Sequence, residues 1–374
     1  MIFVGLPNGL RVKFQNTFIF YYDVMTVVIA AVLCWSVYPA EILTGLAMIS
    51  RREWMVGALA VAHGLVARPQ GIRGMVGKLT AASAEPARPQ GVLIESHIHL
   101  FAGDPARFPY NSASYPPARE PVEEYVKFVQ EARIDHAVIV HPEPYQDDHR
   151  YLEYCLAHEP SQGFFRATCL FDPIDPETPK RMTALVQRNP GRIVALRIHE
   201  IHAAGTPSTK TGLIRDRDLK DPQMAVTWRA AHELGLAIQI HCIPHYAAQI
   251  AELATRFRQT PIILDHLARP GQGTPQEYEQ VLKLAEFPLV YMKFSSTGVA
   301  SASKQPFPHL DAKPLVKRVY EAFGADKMVW GELGGSMKAF EQAVELFDVM
   351  FDFASEPERA KIRGLTAQKL FAFS

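Results

Sequence analysis

From residue 91 onward, short apolar runs alternate with longer amphipathic segments. The apolar runs are rich in Val, Ile and Phe, which is typical of buried parallel strands. The predicted strands are Val92–His97, Ile134–His141, Phe165–Phe171, Ile193–His199, Ala237–His241, Pro261–His266, Leu289–Ser295 and Met328–Glu332. Apolar residues at helical spacing predict helices over Pro121–Ala132, over Leu315–Phe323 and in the segment that carries Phe340, Val344, Phe347 and Phe351.

This alternation of eight strands with helices extends over about 280 residues, which is the size of a (β/α)8 TIM barrel. An open doubly wound sheet is the rival fold. It usually has a Gly-rich turn after the first strand, and this sequence has none there. We therefore predict the α/β class, with a single catalytic (β/α)8 barrel over residues 85–374.

The first ninety residues follow a different pattern. The uncharged stretch Val24–Ala40 has 17 residues, slightly fewer than the ~20 that a membrane-spanning helix needs. Downstream lie the pair Arg51–Arg52, the uncharged run Met55–Ala67 and the small residues Ala82–Ser83–Ala84. An arginine pair, an apolar core and an A-x-A cleavage site resemble a twin-arginine export signal.

We expect residues 48–84 to be that signal, because Met48 lies where an initiator would be expected. Residues 1–47 would then come from a start codon placed too far upstream, and an N-terminal membrane anchor is the alternative. The expected localisation is export to the periplasm, with cytoplasmic or membrane-anchored locations as alternatives.

Composition narrows the choice of partners. Hydrophobic residues make up 48% and charged residues 21% of the chain, which are ordinary values for a globular protein with a sizeable core. Lys+Arg and Asp+Glu both number 39, so no net field attracts nucleic acid. We expect a small-molecule substrate, no nucleic acid, and possible homo-oligomers.

The four cysteines lack metal-knuckle spacing, and Cys169 and Cys242 lie in strand-like runs where buried thiols are expected.

Ionisable residues end six of the eight predicted strands. Strand ends of a barrel converge on one mouth, so residues far apart in sequence can form one pocket. A lone histidine at a strand end is more often structural, but the accumulation favours a shared active site. The candidates are His97, His99, Arg197, His199, Glu200, His241, Asp265, His266, Lys293, Ser295 and Glu332.

Several of these runs resemble one known family over roughly residues 91–374. They are the His97-x-His99 pair, Val194–His199, Ile238–His241, Ile263–Pro270, Met292–Ser295 and the closing Ala367–Phe371. In order and spacing they are similar to the amidohydrolase-related family. That family includes hydrolases of sugar lactones and of pyrone dicarboxylate, and some metal-dependent decarboxylases.

The resemblance implies two kinds of site. In metal-using members, His97, His99 and His241 would hold one divalent ion, Zn or Mn, with an open position for an activated water. A second metal would need a lysine on the fourth strand, where this chain has Arg197. In metal-free members, histidines and arginines polarise the lactone carbonyl and bind substrate carboxylates. Arg197 and Arg269 suit that role, because a guanidinium binds a carboxylate bidentately.

The eighth strand departs from the family pattern. The family usually has Trp-Gly-Ser-Asp-x-Pro, and this chain has Leu333 at the position of the Asp that deprotonates water. Glu332 is one residue away and would face the other side of a strand. The following Gly334–Gly335 would have to let the backbone rotate to bring it inward. We take Glu332 as the hypothetical general base, and a site without a base is the alternative.

Other candidates carry open alternatives. Lys293 would orient an oxyanion or pair with Asp265, and Arg197 would bind substrate or pair with Asp265 or Glu95. His199, Asp265, His266 and Ser295 are expected to line the substrate pocket, although only one of the neighbours Asp265 and His266 can point inward from an extended strand.

Two loops are expected to shape specificity. His199–Pro222 is long and polar and could form a lid. Gly103–Pro117 carries Phe108, Tyr110 and Tyr115, which could line a flat ring-shaped substrate.

The sequence therefore predicts a hydrolase that opens a lactone or cyclic ester of a carboxylated small molecule. One alternative is an amidohydrolase or decarboxylase that uses a metal at the same site. Another is a barrel that binds a ring-shaped acid without catalysis, which Leu333 would favour.

Overall fold

Eight parallel strands form one barrel. The computed structural model describes residues 91–111, 119–200, 219–332 and 336–374. The strands are β1 (Ile94–Ile98), β2 (His136–Val140), β3 (Phe165–Leu170), β4 (Ile193–Glu200), β5 (Ala237–Cys242), β6 (Ile262–Leu264), β7 (Val290–Phe294) and β8 (Met328–Trp330). They are hydrogen-bonded in sequence order from β1 to β8. Each predicted strand is confirmed, and the (β/α)8 prediction with it.

Helices follow the strands and cover the outside of the barrel. They are α1 (Val122–Ala132), α2 (Arg150–Ala157), α3 (Thr178–Arg188), α4 (Pro222–Glu233), α5 (Ala247–Arg256), α6 (Pro275–Lys283), α7 (Ser296–Ala302), α8 (Lys313–Phe323), α9 (Met337–Met350), α10 (Glu356–Ala360) and α11 (Thr366–Leu370). The three predicted helices are α1, α8 and α9. Gly324 follows α8 with a φ of 69°, a conformation that suits glycine.

Side chains join β8 to β1. The hydroxyl of Ser96 donates a hydrogen bond to the backbone carbonyl of Trp330 at 2.5 Å. The carboxylate of Glu95 accepts from the backbone N–H groups of His97 at 2.9 Å and Glu332 at 2.7 Å. The two segments approach so closely at Gly331 that a Cβ there would lie 2.8 Å from the Cβ of His97. Only glycine fits this position without displacing a histidine of the first strand.

An apolar layer fills part of the barrel interior, and the last residues of the chain pack onto it. Strand residues of this layer include Ile94, Val138, Ala195, Ala237, Ile263 and Val329. Ala367, Phe371 and Phe373 belong to the same buried cluster. The ring of Phe373 stacks on His136 with centroids 4.5 Å apart. The C-terminal segment therefore closes the apolar layer that lies beneath the polar strand ends.

The expectations for residues 1–84 lie outside the described residues, as do Leu333, Gly334 and Gly335. None of the helices in the described ranges is long and apolar enough to cross a membrane. Cys169 and Cys242 are buried free thiols, as predicted.

Candidate active site

Five imidazole rings form a continuous row at the carboxyl ends of the strands. The ring centroids of His99 and His97 lie 5.1 Å apart, and those of His97 and His266 lie 4.6 Å apart. His266 and His241 follow at 5.0 Å, and His241 and His199 at 5.2 Å. The structure thus brings together all five predicted histidines, which come from four different strands or strand ends. Burial lowers the pKa of each ring below its ordinary value, so all five are neutral near pH 7.

Lys293 lies beside this row and is fully buried. Its ammonium nitrogen is 3.1 Å from Oδ1 of Asp265 and 3.3 Å from Nδ1 of His97. It also donates to the backbone carbonyl of Ser96 at 3.0 Å. Burial raises the pKa of Asp265, but the charge of Lys293 together with the contributions of His97 and His266 outweighs burial and brings this pKa well below its usual range. Lys293 therefore contacts Asp265, and its role toward an oxyanion stays a prediction.

Asp265 and His266 both join the cluster, which differs from the expectation that only one of them points inward. Strand β6 ends at Leu264, before either residue. His266 then takes a φ of 52°, and Leu267, Ala268 and Arg269 also have φ values between 50° and 54°. Four consecutive left-handed residues without glycine are costly and persist only where surrounding contacts hold them. The alternation of a strand no longer applies here, so both neighbours reach His97.

Contacts from three directions hold this left-handed turn. The hydroxyl of Ser295 lies 2.7 Å from Nδ1 of His266, and the hydroxyl of Tyr278 donates to the carbonyl of Leu267 at 2.9 Å. Gly298 packs against the turn so closely that a Cβ would lie 2.6 Å from the carbonyl oxygen of His266. Ser295 and His266 are therefore in contact, as their predicted membership of one pocket requires.

The two predicted arginines flank the histidine row. The buried Arg197 donates through Nη1 to the backbone carbonyl of His141 at 3.3 Å. Arg269 is partly exposed, and its Nε donates to Nε2 of His241 at 2.9 Å. Their charges help to lower the pKa values of neighbouring histidines, as Arg197 does for His99. Together with Lys293 they make the cluster rich in positive charge, which favours an anionic ligand.

The structure adds His141 and Gln239 to the site. The amide of Gln239 donates to Oδ2 of Asp265 at 3.0 Å. Nε2 of the buried His141 bonds to the carbonyl of Gln146 at 2.9 Å. Burial lowers the pKa of His141, and His149, Arg197 and His99 add to this shift. His141 directly follows β2, so the strand-end rule also covers it, whereas Gln239 lies in the middle of β5 and had no such sequence signal.

Glu332 is buried at the end of β8 but is held by residues outside the histidine row. Its carboxylate accepts from the backbone N–H of Ser296 at 2.9 Å and from the Ser296 hydroxyl. Ser296 is the first residue of α7, so the carboxylate lies at the N-terminus of that helix. Burial raises the pKa of Glu332 to about 7. The role of Glu332 as base stays a prediction.

The aromatic loop after β1 only partly matches its expected role. Phe108 packs against Tyr151 and Tyr154, with ring centroids 5.0 Å and 5.4 Å apart, and so belongs to the core. Tyr110 is exposed. Tyr115, and most of the predicted lid between His199 and Pro222, lie outside the described residues.

One group of three residues in the described ranges has the donors for a metal ion. Ligand atoms of His97, Asp265 and His266 lie within 4.8 Å of one another. This group shares only His97 with the set that the resemblance implies, His97, His99 and His241. Lys293 already contacts two members of the first group, His97 and Asp265. Arg269 contacts His241, a member of the implied set. A divalent ion would have to displace these like charges, so the residues as arranged do not fit a metal.

A barrel with a row of strand-end histidines defines the class of the amidohydrolases. The sequence model of the family described as amidohydrolase matches residues 94–373. This chain belongs to that family.

Particular relatives share most of the chain. A 4-sulfomuconolactone hydrolase from Hydrogenophaga intermedia is 25% identical over 287 residues, which is 74% of this chain and 88% of the relative. A solved structure from Pseudomonas putida, assigned as a 2-pyrone-4,6-dicarboxylic acid hydrolase, has a TM-score of 0.61 at 21% identity and covers 76% of this chain and 98% of its own. An amidohydrolase from Burkholderia multivorans with bound zinc has a TM-score of 0.57 at 15% identity and covers 76% of this chain and all of its own. The two structures support the fold.

Proposed function

We propose that this protein is a hydrolase that opens the ring of a lactone carrying an anionic group. The observation that carries the proposal is the row of five neutral imidazoles between Arg197, Arg269 and Lys293. Buried N–H donors next to fixed positive charges suit an oxygen that becomes negative during the reaction. The curated relative acts on a lactone, which supports the same reaction class here.

Arg197 and Arg269 are the proposed binding groups for the anionic substituent. A guanidinium forms paired hydrogen bonds with a carboxylate or a sulfonate, and burial strengthens them. Such a contact would fix the ring so that its carbonyl faces the imidazoles. Binding energy from a part of the substrate that does not react would then position the part that does.

Ring opening itself needs water and a proton acceptor. The water gives up one proton, for which we propose Glu332 as the acceptor, and its oxygen adds to the carbonyl carbon. The ring C–O bond then breaks, and Glu332 returns the proton to the ring oxygen, which leaves as a hydroxyl group. A pKa of about 7 suits a general base at neutral pH. The carboxylate would have to exchange its hydrogen bond from the Ser296 hydroxyl for one from water.

A lactone panel tests the proposal. The purified full chain is incubated with lactones that carry a carboxylate or a sulfonate and with neutral lactones of the same ring size, each with a chelator, with Zn²⁺ and with Mn²⁺. We expect opening of anionic lactones in preference to neutral ones, and activity in the presence of the chelator. His241→Ala should abolish this activity. The control variant His232→Ala, which changes an exposed residue on α4, should keep it.

Two results would overturn parts of this proposal. Activity on no lactone under any condition would favour the non-catalytic binding barrel. Activity that appears only with Zn²⁺ or Mn²⁺ would favour a metal-dependent amidohydrolase or decarboxylase at the same site, for which the group His97, Asp265 and His266 is the starting point.

We also propose export through the arginine pair Arg51–Arg52, supported by the apolar run and the small residues that follow it. N-terminal sequencing of the protein recovered from the periplasm should give a chain that starts near Glu85. A chain starting at Met1 would contradict both cleavage of the signal and the misplaced start.

A further inference from the structure

Arg269 determines which nitrogen of His241 carries the ring proton. Nε of Arg269 lies 2.9 Å from Nε2 of His241. A guanidinium has donors and no acceptor, so Nε2 must accept and cannot itself be protonated. A ring that accepts at Nε2 is neutral, because an imidazolium has a proton on both nitrogens. The single ring proton is therefore on Nδ1, which is buried and has no hydrogen-bond partner in the described part of the chain.

Lys293 does the same to His97. Its ammonium nitrogen lies 3.3 Å from Nδ1 of His97. An ammonium group also has only donors, and Oδ1 of Asp265, at 3.6 Å from Nδ1, lies beyond hydrogen-bond distance, so Nδ1 accepts from Lys293. A ring that accepts at Nδ1 is neutral, since an imidazolium has a proton on both nitrogens. The proton is then on Nε2, another buried nitrogen for which the described ranges supply no partner.

Two buried N–H donors without partners are unfavourable in a protein by itself. Nearly all buried polar groups find a hydrogen bond, and those that do not often have a ligand to bind. Both rings pack on the same third ring, with centroids 4.6 Å and 5.0 Å from that of His266. Their missing partner has to be an acceptor, such as a carbonyl oxygen.

The same protonation makes these nitrogens unsuitable for a metal. A metal binds the lone pair of a neutral imidazole nitrogen. At His241 and His97, the nitrogens with lone pairs are the two that already accept hydrogen bonds from cations. The remaining two carry protons.

We propose that Arg269 and Lys293 are positioning residues that set the tautomers of His241 and His97, so that both rings offer N–H donors to a carbonyl oxygen and withhold their lone pairs from a metal. The identification of this oxygen as the carbonyl oxygen of a lactone rests on the proposed function. The tautomers themselves follow from the contacts of the ligand-free protein. The left-handed turn at His266–Arg269 is what places the guanidinium on His241.

Nitrogen NMR of the full chain, labelled with ¹⁵N in histidine rings, tests the tautomers without substrate. Protonated and unprotonated ring nitrogens give widely separated signals, which single His→Gln variants assign. We expect His241 protonated on Nδ1 and His97 protonated on Nε2. Arg269→Met should shift His241 toward protonation on Nε2 and leave His97 unchanged, whereas Arg256→Met on the exposed end of α5 should change neither.

The opposite tautomer in the unmodified protein, or an unchanged His241 in Arg269→Met, would overturn the proposal. The NMR measurement on the unmodified protein determines the two tautomers even if a variant does not fold. Because no substrate is present, a confirmed tautomer with no lactone opened would refute the proposed function alone.

Zinc affinity gives a second readout. Zn²⁺ is titrated into the full chain in competition with a chromogenic chelator. We expect Arg269→Met to bind Zn²⁺ at least tenfold more tightly than the unmodified protein, because a lone pair is released and a like charge is removed. Equal affinity of the two proteins, with Arg256→Met as the control, would show that Arg269 does not keep metal away.

Discussion

Nζ of Lys293 lies 3.1 Å from Oδ1 of Asp265, and both side chains are fully buried. Lys293 is on β7 and Asp265 follows β6, so the pair joins two adjacent strand ends inside the barrel. Removing one member of a buried pair leaves the other charge without compensation. We therefore expect this ion pair to contribute to the stability of the folded protein.

Lys293→Met should lower the free energy of unfolding by about 3–5 kcal/mol. Chemical denaturation at pH 7 measures this loss. Lys317→Met, which removes an exposed lysine from a surface pair on α8, should cost less than about 1 kcal/mol. Adding Asp265→Asn to Lys293→Met should recover part of the loss. If the stability losses of Lys293→Met and Asp265→Asn simply sum to the loss of the double variant, the contact contributes nothing to stability.

Glu332→Gln should reduce kcat on an opened lactone by about 10²–10⁴-fold if this carboxylate is the base. Glutamine keeps an acceptor oxygen for the N–H of Ser296, so the melting temperature should change little. Unreduced activity in a folded variant would remove Glu332 from the reaction and leave it as a cap for α7. Glu321→Gln on α8 is the exposed control.

Arg197→Met should raise KM for an anionic lactone and leave kcat less affected. A hydrogen bond to a charged group contributes about 1.5–3 kcal/mol, which corresponds to about ten- to hundredfold in affinity. The matched neutral lactone should show no such rise. Equal effects on both substrates would mean that Arg197 supports the fold and does not bind the anion.

The contribution of Glu95 to stability should fall as the pH rises from about 5 to 8. Burial raises its pKa from 4.5 to about 8. A carboxyl with a higher pKa in the folded protein binds a proton on folding, so its contribution is complete below 4.5 and is lost as the pH rises through about 8. The slope from one such group is at most about 1.4 kcal/mol per pH unit.

Glu95→Gln removes this slope, because glutamine stays neutral and can still accept from the N–H groups of His97 and Glu332. The variant should match the unmodified protein near pH 5 and exceed it in stability at pH 9, as measured by urea denaturation. Parallel pH profiles for the two proteins would show that Glu95 is ionised when folded.

Phe371→Ala should destabilise the protein by about 3–5 kcal/mol, since it opens a cavity in the apolar layer. The exposed Phe307→Ala should cost far less. Tautomers and zinc affinity should be unchanged in Phe371→Ala at a temperature where it is folded. A change in either would mean that the C-terminal segment also shapes the site.

The strands were predictable because burial on both faces leaves nearly continuous apolar runs. Most of the histidine row was predictable too, since strand ends of a barrel meet at one mouth. The turn at His266–Arg269 was not, because no glycine marks its left-handed backbone. That turn lets both Asp265 and His266 reach His97, and it places the guanidinium of Arg269 against the ring of His241. The position of Glu332 at α7 likewise depends on a contact with Ser296 that no local pattern contains.

The order of synthesis gives the packing of the C-terminal segment a further meaning. Strand β1 emerges from the ribosome first among the eight strands, and its partners lie on or after the eighth: Ser96 bonds to Trp330, and Ile94 packs in one cluster with Phe371. The nascent barrel therefore exposes apolar strand faces until the segment around Phe371 has been synthesised. Chains with exposed apolar surface attract chaperones and aggregate when they stall. Chains that stop before Phe371 should therefore be cleared by proteases, although every residue of the histidine row is present.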